Sequence, residues 1–135
     1  MLKKISVFLT YVGLSCLVLY TSTVLEAGAE TRYGKVEKTI MKGEQARIQI
    51  MYSIRASNCH ADRIPPKPKI VRAPKLGTLT FSSGRSAPYQ CPNIEINVNF
   101  ADYKSDGAPG VDRFRIRWIA SGGVVFDRSY VINIR

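Results

Sequence analysis

Three kinds of side chain in this sequence are placed where they could do chemistry: a cysteine pair, a lone histidine, and rows of arginine and lysine. His60 is the only histidine and directly follows Cys59. A Cys–His nucleophile needs a free thiolate within reach of the imidazole, and adjacent residues rarely reach that geometry. One histidine also falls short of the usual zinc ligand set. The serines lie outside Gly-x-Ser-x-Gly and Ser-x-x-Lys contexts. A carboxylate pair for glycoside hydrolysis would have to come from only nine acids after residue 29. Asp102-Tyr103-Lys104-Ser105-Asp106-Gly107 has the outline of a calcium loop. Lys104 stands at its third ligand place and Arg113 at its twelfth, and cations there repel the metal. The expectation is therefore a protein that is not an enzyme, with no catalytic centre, metal or cofactor. His60 is then a surface loop residue, and an enzyme built on it is the least favoured reading.

The remaining features are cationic. Arg113, Arg115 and Arg117 alternate with Phe114, Ile116 and Trp118. In an extended chain they project from one face, about 6.6–7 Å apart in succession. Like charges so placed repel unless something anionic lies across them; Asp127 on the following segment would offset one. A second cluster, Lys67, Lys69, Arg72 and Lys75, sits on a segment stiffened by Pro65, Pro66, Pro68 and Pro74. Guanidinium forks match carboxylate, phosphate and sulfate. Two readings follow: a face that binds polyanions, or a solvated sheet face whose charges discourage edge pairing.

The compartment narrows the partners. Lys3 and Lys4 precede an apolar stretch over 5–25, and Ala27-Gly28-Ala29 supplies the small residues a signal peptidase inspects. Residues 1–29 read as a secretory signal peptide cleaved after Ala29. The same stretch is long enough to anchor the chain if left uncleaved, which would be its one membrane association. Cys16 follows Gly13-Leu14-Ser15, where a lipobox needs Leu in place of Gly13, so it reads as apolar filler. Residues 30–135 then make one domain of roughly 106 residues, periplasmic or secreted. Its remaining cysteines, Cys59 and Cys91, read as a disulfide, which for a loop of this length contributes about 3–4 kcal/mol. The whole chain has 20 Lys plus Arg against 10 Asp plus Glu. Without Lys3, Lys4 and Glu26 the balance is 18 against 9, about +9. Such a field favours anionic partners and weakens with salt. Outside the cytoplasm these are anionic polysaccharide, lipopolysaccharide, lipid headgroups or an envelope protein, rather than nucleic acid.

The elements that must position these residues are strands. Residues 35–41 read as an edge-like first strand. Over 45–56 the pattern has period two, with Ala46, Ile48, Ile50, Tyr52 and Ile54 on one face. Residues 57–68 form a proline-rich loop, and 69–73 a short edge strand. A strand over 78–81 precedes a flexible turn over 82–86. Over 93–100, Ile94, Ile96, Val98 and Phe100 are expected to face inward, followed by a polar loop over 101–110. Residues 112–120 and 124–135 flank Ser121-Gly122-Gly123 as a hairpin. No segment of the mature part carries a helical period. About seven short strands predict an all-β antiparallel sandwich.

The C-terminal half resembles bacterial immunoglobulin-like and cadherin-like domains. Gly110-Val-Asp112-Arg-Phe114-Arg-Ile116-Arg-Trp118 is similar to their Gly-x-Asp-x-Phe-x-Tyr-x-Val hairpin, and Pro74-Lys-Leu-Gly77-Thr-Leu79 to the turn before it. The resemblance implies an immunoglobulin-like sandwich serving binding or scaffolding. Gly110 would permit a tight bend, Asp112 would accept loop amide bonds, and Phe114 would plug the core. The expectation is thus an exported binding module that recognises an anionic envelope component or surface protein. The alternative is a secreted inhibitor or accessory subunit that presents the stiff segment 64–75 to a partner.

Overall fold

The computed structural model describes residues 28–135, so the signal peptide read over 1–29, its anchor alternative and Cys16 lie, but for residues 28 and 29, outside the described residues. Seven strands form two facing sheets. The first sheet has the order β1 (Thr31–Ile40), β9 (Val125–Ile134), β8 (Gly110–Ile119), β5 (Lys69–Arg72). The second has the order β2 (Gln45–Met51), β7 (Ile96–Ser105), β6 (Gly77–Ser86). A short hairpin of β3 (Ile54–Arg55) and β4 (His60–Ala61) stands apart. All-β architecture with one disulfide is as expected. Purely antiparallel pairing is not, because β1 runs parallel to β9 from Thr31↔Val125 to Ile40↔Ile134. These strands are joined through the entire domain rather than by a turn, so connectivity imposes no antiparallel direction on them.

The core between the sheets is aromatic at its centre. Phe114 stacks on Tyr103 at 5.4 Å and on Tyr130 at 5.0 Å between ring centroids. This places one ring of β7 against one each of β8 and β9, with Ile116, Trp118, Ile132, Ile134, Ile40, Ala46, Met51 and Ala101 around them. Each stacked pair adds about 0.5–1.5 kcal/mol beyond its burial. Phe114 does plug the core, as the resemblance implied.

A second apolar cluster alters two strand readings. Ile96, Val98 and Phe100 pack with Ile50, Tyr52, Ile54 and Ala61, separate from the core between the sheets. The expectation that 93–100 faces inward is therefore corrected: β7 has buried side chains on both faces. Its inter-sheet contribution comes from Ala101 and Tyr103, in the stretch read as a polar loop, and Ile94 is exposed ahead of the strand. A strand buried on both faces loses simple alternation. The single face read over 45–56 also divides. A register shift between Arg47 and Gln49 marks a bulge at Ile48. Ala46 and Met51 thereby both reach the inter-sheet core, while Ile50, Tyr52 and Ile54 join the outer cluster. The turn read over 82–86 is strand as well, since β6 pairs without interruption up to Ser86↔Ile96.

The disulfide fastens the outer cluster. Cys59 lies at the β3–β4 turn with φ +54°, Cys91 is buried just ahead of β7, and their Cα atoms are 6.0 Å apart. It ties the small hairpin to the lead-in of the central strand, not one sheet to the other. Tyr52 adds a hydrogen bond from its hydroxyl to Gln90 Oε1 at 2.7 Å.

Candidate anion-binding face

The β8–β9 hairpin sets the spacing of the arginines. Gly122 and Gly123 turn the chain with φ of +78° and +77°, a region that suits glycine. The register that follows places Arg113 opposite Val131, Arg115 opposite Ser129 and Arg117 opposite Asp127. Phe114, Ile116 and Trp118 point into the core, so the arginines point away from it.

β5 lies along the other side of β8. Lys69 is in register with Arg117, and Arg72 with Arg115, with a shift at Val71. The two clusters, separate in sequence, therefore form one surface. β1 adds residues that sequence reasoning missed: Lys35 is in register with Ser129, and Tyr33 with Asp127. One row across the sheet reads Lys35, Ser129, Arg115, Arg72; the next reads Tyr33, Asp127, Arg117, Lys69. Nothing in the sequence signals Lys35 as a member, because only the parallel β1–β9 pairing puts it there. A shallow depression of about 480 Å³ lies on this face, lined by Tyr33, Lys35, Arg115, Asp127 and Ser129.

Lys67 and Lys75 are not brought into the rows. Lys67 precedes β5 and lines a groove with Ile64, Pro65 and Phe81. Lys75 follows β5 at a turn, where its backbone N–H donates to Asp112 at 2.9 Å and its side chain is exposed.

Asp127 organises the arginines. Its carboxylate is 2% exposed and accepts forked hydrogen bonds from both Arg115 and Arg117. Arg115 Nη2 and Arg117 Nη2 each lie 2.7 Å from Oδ2. The hydrogen bonds from Arg115, joined by those from Arg117 and opposed by burial, lower its pKa to about 2. The sequence suggested that Asp127 would offset one arginine; it holds two. Among the described residues, no carboxylate stands within ion-pair distance of Arg113, Lys69 or Arg72. Glu37, in register with Val131, pairs loosely with Lys35 at 4.0 Å.

Asp112 fixes where β8 begins. It accepts N–H bonds from Lys75, Leu76 and Arg113 and the Tyr103 hydroxyl at 2.8 Å. Burial pushes its pKa up, but these four donors outweigh burial and hold it below the usual carboxylate value. Gly110, the first residue of β8, has φ +149°, a region that favours glycine. Accepting loop N–H bonds is the role that the resemblance assigned to Asp112.

The other candidates for chemistry fall elsewhere. His60 is exposed on β4 in register with Arg55, and the neighbouring Cys59 sulfur is in the disulfide. Asp102, on β7 rather than in a loop, pairs with Arg47 at 2.9 Å, and that guanidinium lies 3.7 Å over the Phe100 ring.

No family model matches the chain, and no curated protein matches it. Among solved structures it is similar to the solution structure of Amebosin, at 12% identity over 80% of this chain and 100% of that one, with TM-score 0.41. It is also similar to PbICP-C in complex with falcipain-2, at 9% identity over 78% and 92% of the two chains, with TM-score 0.37. A 2,6-sialyltransferase from Vibrionaceae Photobacterium sp. JT-ISH-224, in a ternary complex with CMP and lactose, shares 12% identity over 80% of this chain and 18% of its own, with TM-score 0.32.

Proposed function

We propose that this chain is an exported, immunoglobulin-type binding module that captures a polyanion on the outward face of its four-stranded sheet. Strand order supports the fold assignment. Lettered A to G, the seven sandwich strands are β1, β2, β5, β6, β7, β8 and β9. C, F and G then share one sheet, and B, E and D the other, as in an immunoglobulin sandwich, with A moved beside G. The Cys59–Cys91 bridge suits an oxidising compartment, and no helix among the described residues is long and apolar enough to cross a membrane.

One observation carries the binding reading: Arg113, Lys69 and Arg72 stand on one face without an acidic partner among the described residues, beside two arginines already held in place by Asp127. A rigid guanidinium loses little freedom when it meets carboxylate or sulfate. Repeating acidic groups of a polysaccharide or lipopolysaccharide match a flat face better than a pocket. No catalytic group enters this reading.

Retention on immobilised heparin tests it. The triple variant Arg113→Ser, Lys69→Ser, Arg72→Ser removes the three cations that no acid needs. At about 0.5 kcal/mol per exposed charge pair it binds about tenfold more weakly at low salt, with its melting curve nearly unchanged. Unchanged retention in the folded triple variant removes the proposal. Replacing Arg115 and Arg117 is a poorer test, because it strands the buried Asp127 carboxylate.

The segment 64–75 supports a second reading, an inhibitor or accessory subunit. Asn97 and Asn99 donate to the carbonyls of Arg63 and Pro66, each at 2.9 Å, while Ile64 between them is 75% exposed. That is a stiff presentation of an apolar side chain. A stoichiometric protein complex that survives high salt favours this reading over ionic capture.

A further inference from the structure

Among the described residues, four strands of the two facing sheets lie at sheet edges, and three carry protection against pairing with a foreign strand. β1 bears Arg32, Lys35, Glu37 and Lys38. β5 is four residues long, shifted at Val71 and framed by Pro68 and Pro74. β2 is bulged at Ile48, and Lys38 Nζ donates to the Arg47 carbonyl at 3.2 Å. β6 has none of these devices. It keeps register with β7 over its ten residues, contains no proline, and carries no charge before Arg85. Among the described residues, the hydrogen bonds of its Thr80, Ser83 and Arg85 side chains all run toward β7 and the residues leading into it. Among the described residues, no backbone group bonds to the outward N–H and C=O groups of the strand.

A groove accompanies this open edge. Ile64, Pro65, Lys67 and Phe81 line a volume of about 340 Å³. A second depression of about 370 Å³ follows along Pro65, Ser83 and Arg85. Its far wall is fixed to β7 through Asn97 and Asn99, so the distance between wall and strand is set in advance. Added strands use this combination: backbone bonds to the edge give affinity, and pockets for alternate side chains give selectivity.

We propose that β6 accepts an extended acidic peptide as an added strand, whose groove-facing side chains are apolar beside Ile64 and Phe81 and acidic beside Lys67 and Arg85. Arg85 can turn to a peptide carboxylate, since its side chain is 60% exposed and its ion pair with Glu95 is loose at 3.7 Å, its one short bond being from Nη2 to the Glu95 carbonyl at 2.9 Å. Charge selects this occupant over a second copy. Another copy brings the same Lys67 and Arg85 and the same formal net charge of +10, so self-pairing sets like against like. This docking edge is separate from the outward face of β8 and stands or falls independently of it.

The probe is a labelled peptide of about ten residues, the span of a long strand, with valine and glutamate alternating along its groove-facing positions and threonine between them, added to the oxidised exported protein. Saturable binding is expected by fluorescence polarisation, with amide exchange slowed at least about tenfold within Gly77–Ser86. The same peptide N-methylated on one edge, and a valine–lysine counterpart, each bind at least about tenfold more weakly. Lys67→Glu, an exposed substitution, weakens the valine–glutamate peptide as well. The proposal is overturned if the N-methylated peptide binds equally, if protection appears on β5 or β8 instead, or if Lys67→Glu changes nothing. It is equally overturned if β6 is already protected without peptide in a protein that sediments as a dimer.

Discussion

Asp112 and Asp127 are both 2% exposed and stand on adjacent strands of one sheet, yet they do opposite work. Asp112 is satisfied by neutral donors: three backbone N–H groups and one phenol. Two of those N–H groups belong to the turn between β5 and β6, so the carboxylate ties the crossing between sheets to the start of β8. Asp127 is satisfied by two guanidinium groups that are 37% and 42% exposed. It ties no segments together beyond what the β8–β9 ladder already holds. A buried carboxylate bonded to backbone sets chain path, whereas one bonded to arginines sets the charge and posture of a surface.

The contrast is broken most directly at Asp112. Asp112→Ala leaves the Lys75 and Leu76 N–H groups and the Tyr103 hydroxyl without their partner in a buried site. Each buried donor so stranded costs about 1–3 kcal/mol, in part relieved by water. A loss of about 3–4 kcal/mol is expected, read as a fall in melting temperature of roughly 15–25 °C for a domain of this size. Heparin retention of the folded fraction should not change. A loss below about 1 kcal/mol would mean that the turn is held by something other than this carboxylate.

Acid titration separates the two carboxylates by partner. The pKa of Asp127 is lowered from 3.8 to about 2 in the folded protein. Its stabilisation is therefore complete above about pH 4 and is lost as pH falls toward 2. The shift corresponds to at most about 2.5 kcal/mol, and the partial exposure of both guanidiniums reduces that. Asp112 is lowered too and contributes with the same sign. Urea denaturation between pH 2 and 5 should show stability falling with acid. Asp127→Asn flattens part of that slope, and Asp112→Asn flattens another part. If Asp127→Asn leaves the slope intact, the ion pairs with Arg115 and Arg117 are not formed in solution.

The same division governs what could be read in advance. The hairpin over β8 and β9 was legible because its alternation is strict and its turn needs two glycines with positive φ. The role of Asp112 was legible through a motif that carries its own geometry. The basic face was only half legible. Arg113, Arg115 and Arg117 could be placed on one side of a strand, but local periodicity holds no record of which strands neighbour it. Lys69, Arg72 and Lys35 join the face through long-range pairing. Lys67 and Lys75, adjacent to them in sequence, do not join the rows. The two-sided burial of β7 and the bulge at Ile48 defeated period-two reading for a related reason: both depend on what covers the sheet from outside. Residues 57–61, stapled by Cys59–Cys91, form part of that cover, although their composition reads as that of a surface loop.

The smallest expected effect sharpens the contrast from the side of function. Asp127→Ala deletes the acid that occupies Arg115 and Arg117. It should cost only about 1–2 kcal/mol, because both guanidiniums can turn to water once released. The released forks and the extra net positive charge should then raise retention on heparin, by about threefold in affinity at low salt. The direction matters more than the size. A surface that merely keeps the protein in solution would lose stability without gaining affinity. A surface in which Asp127 holds arginines ready for an anion would instead lose affinity along with order. Gain, no change and loss thus distinguish competition by Asp127, a solvated face and preorganisation by Asp127, and only Asp127 among the two buried carboxylates can produce all three.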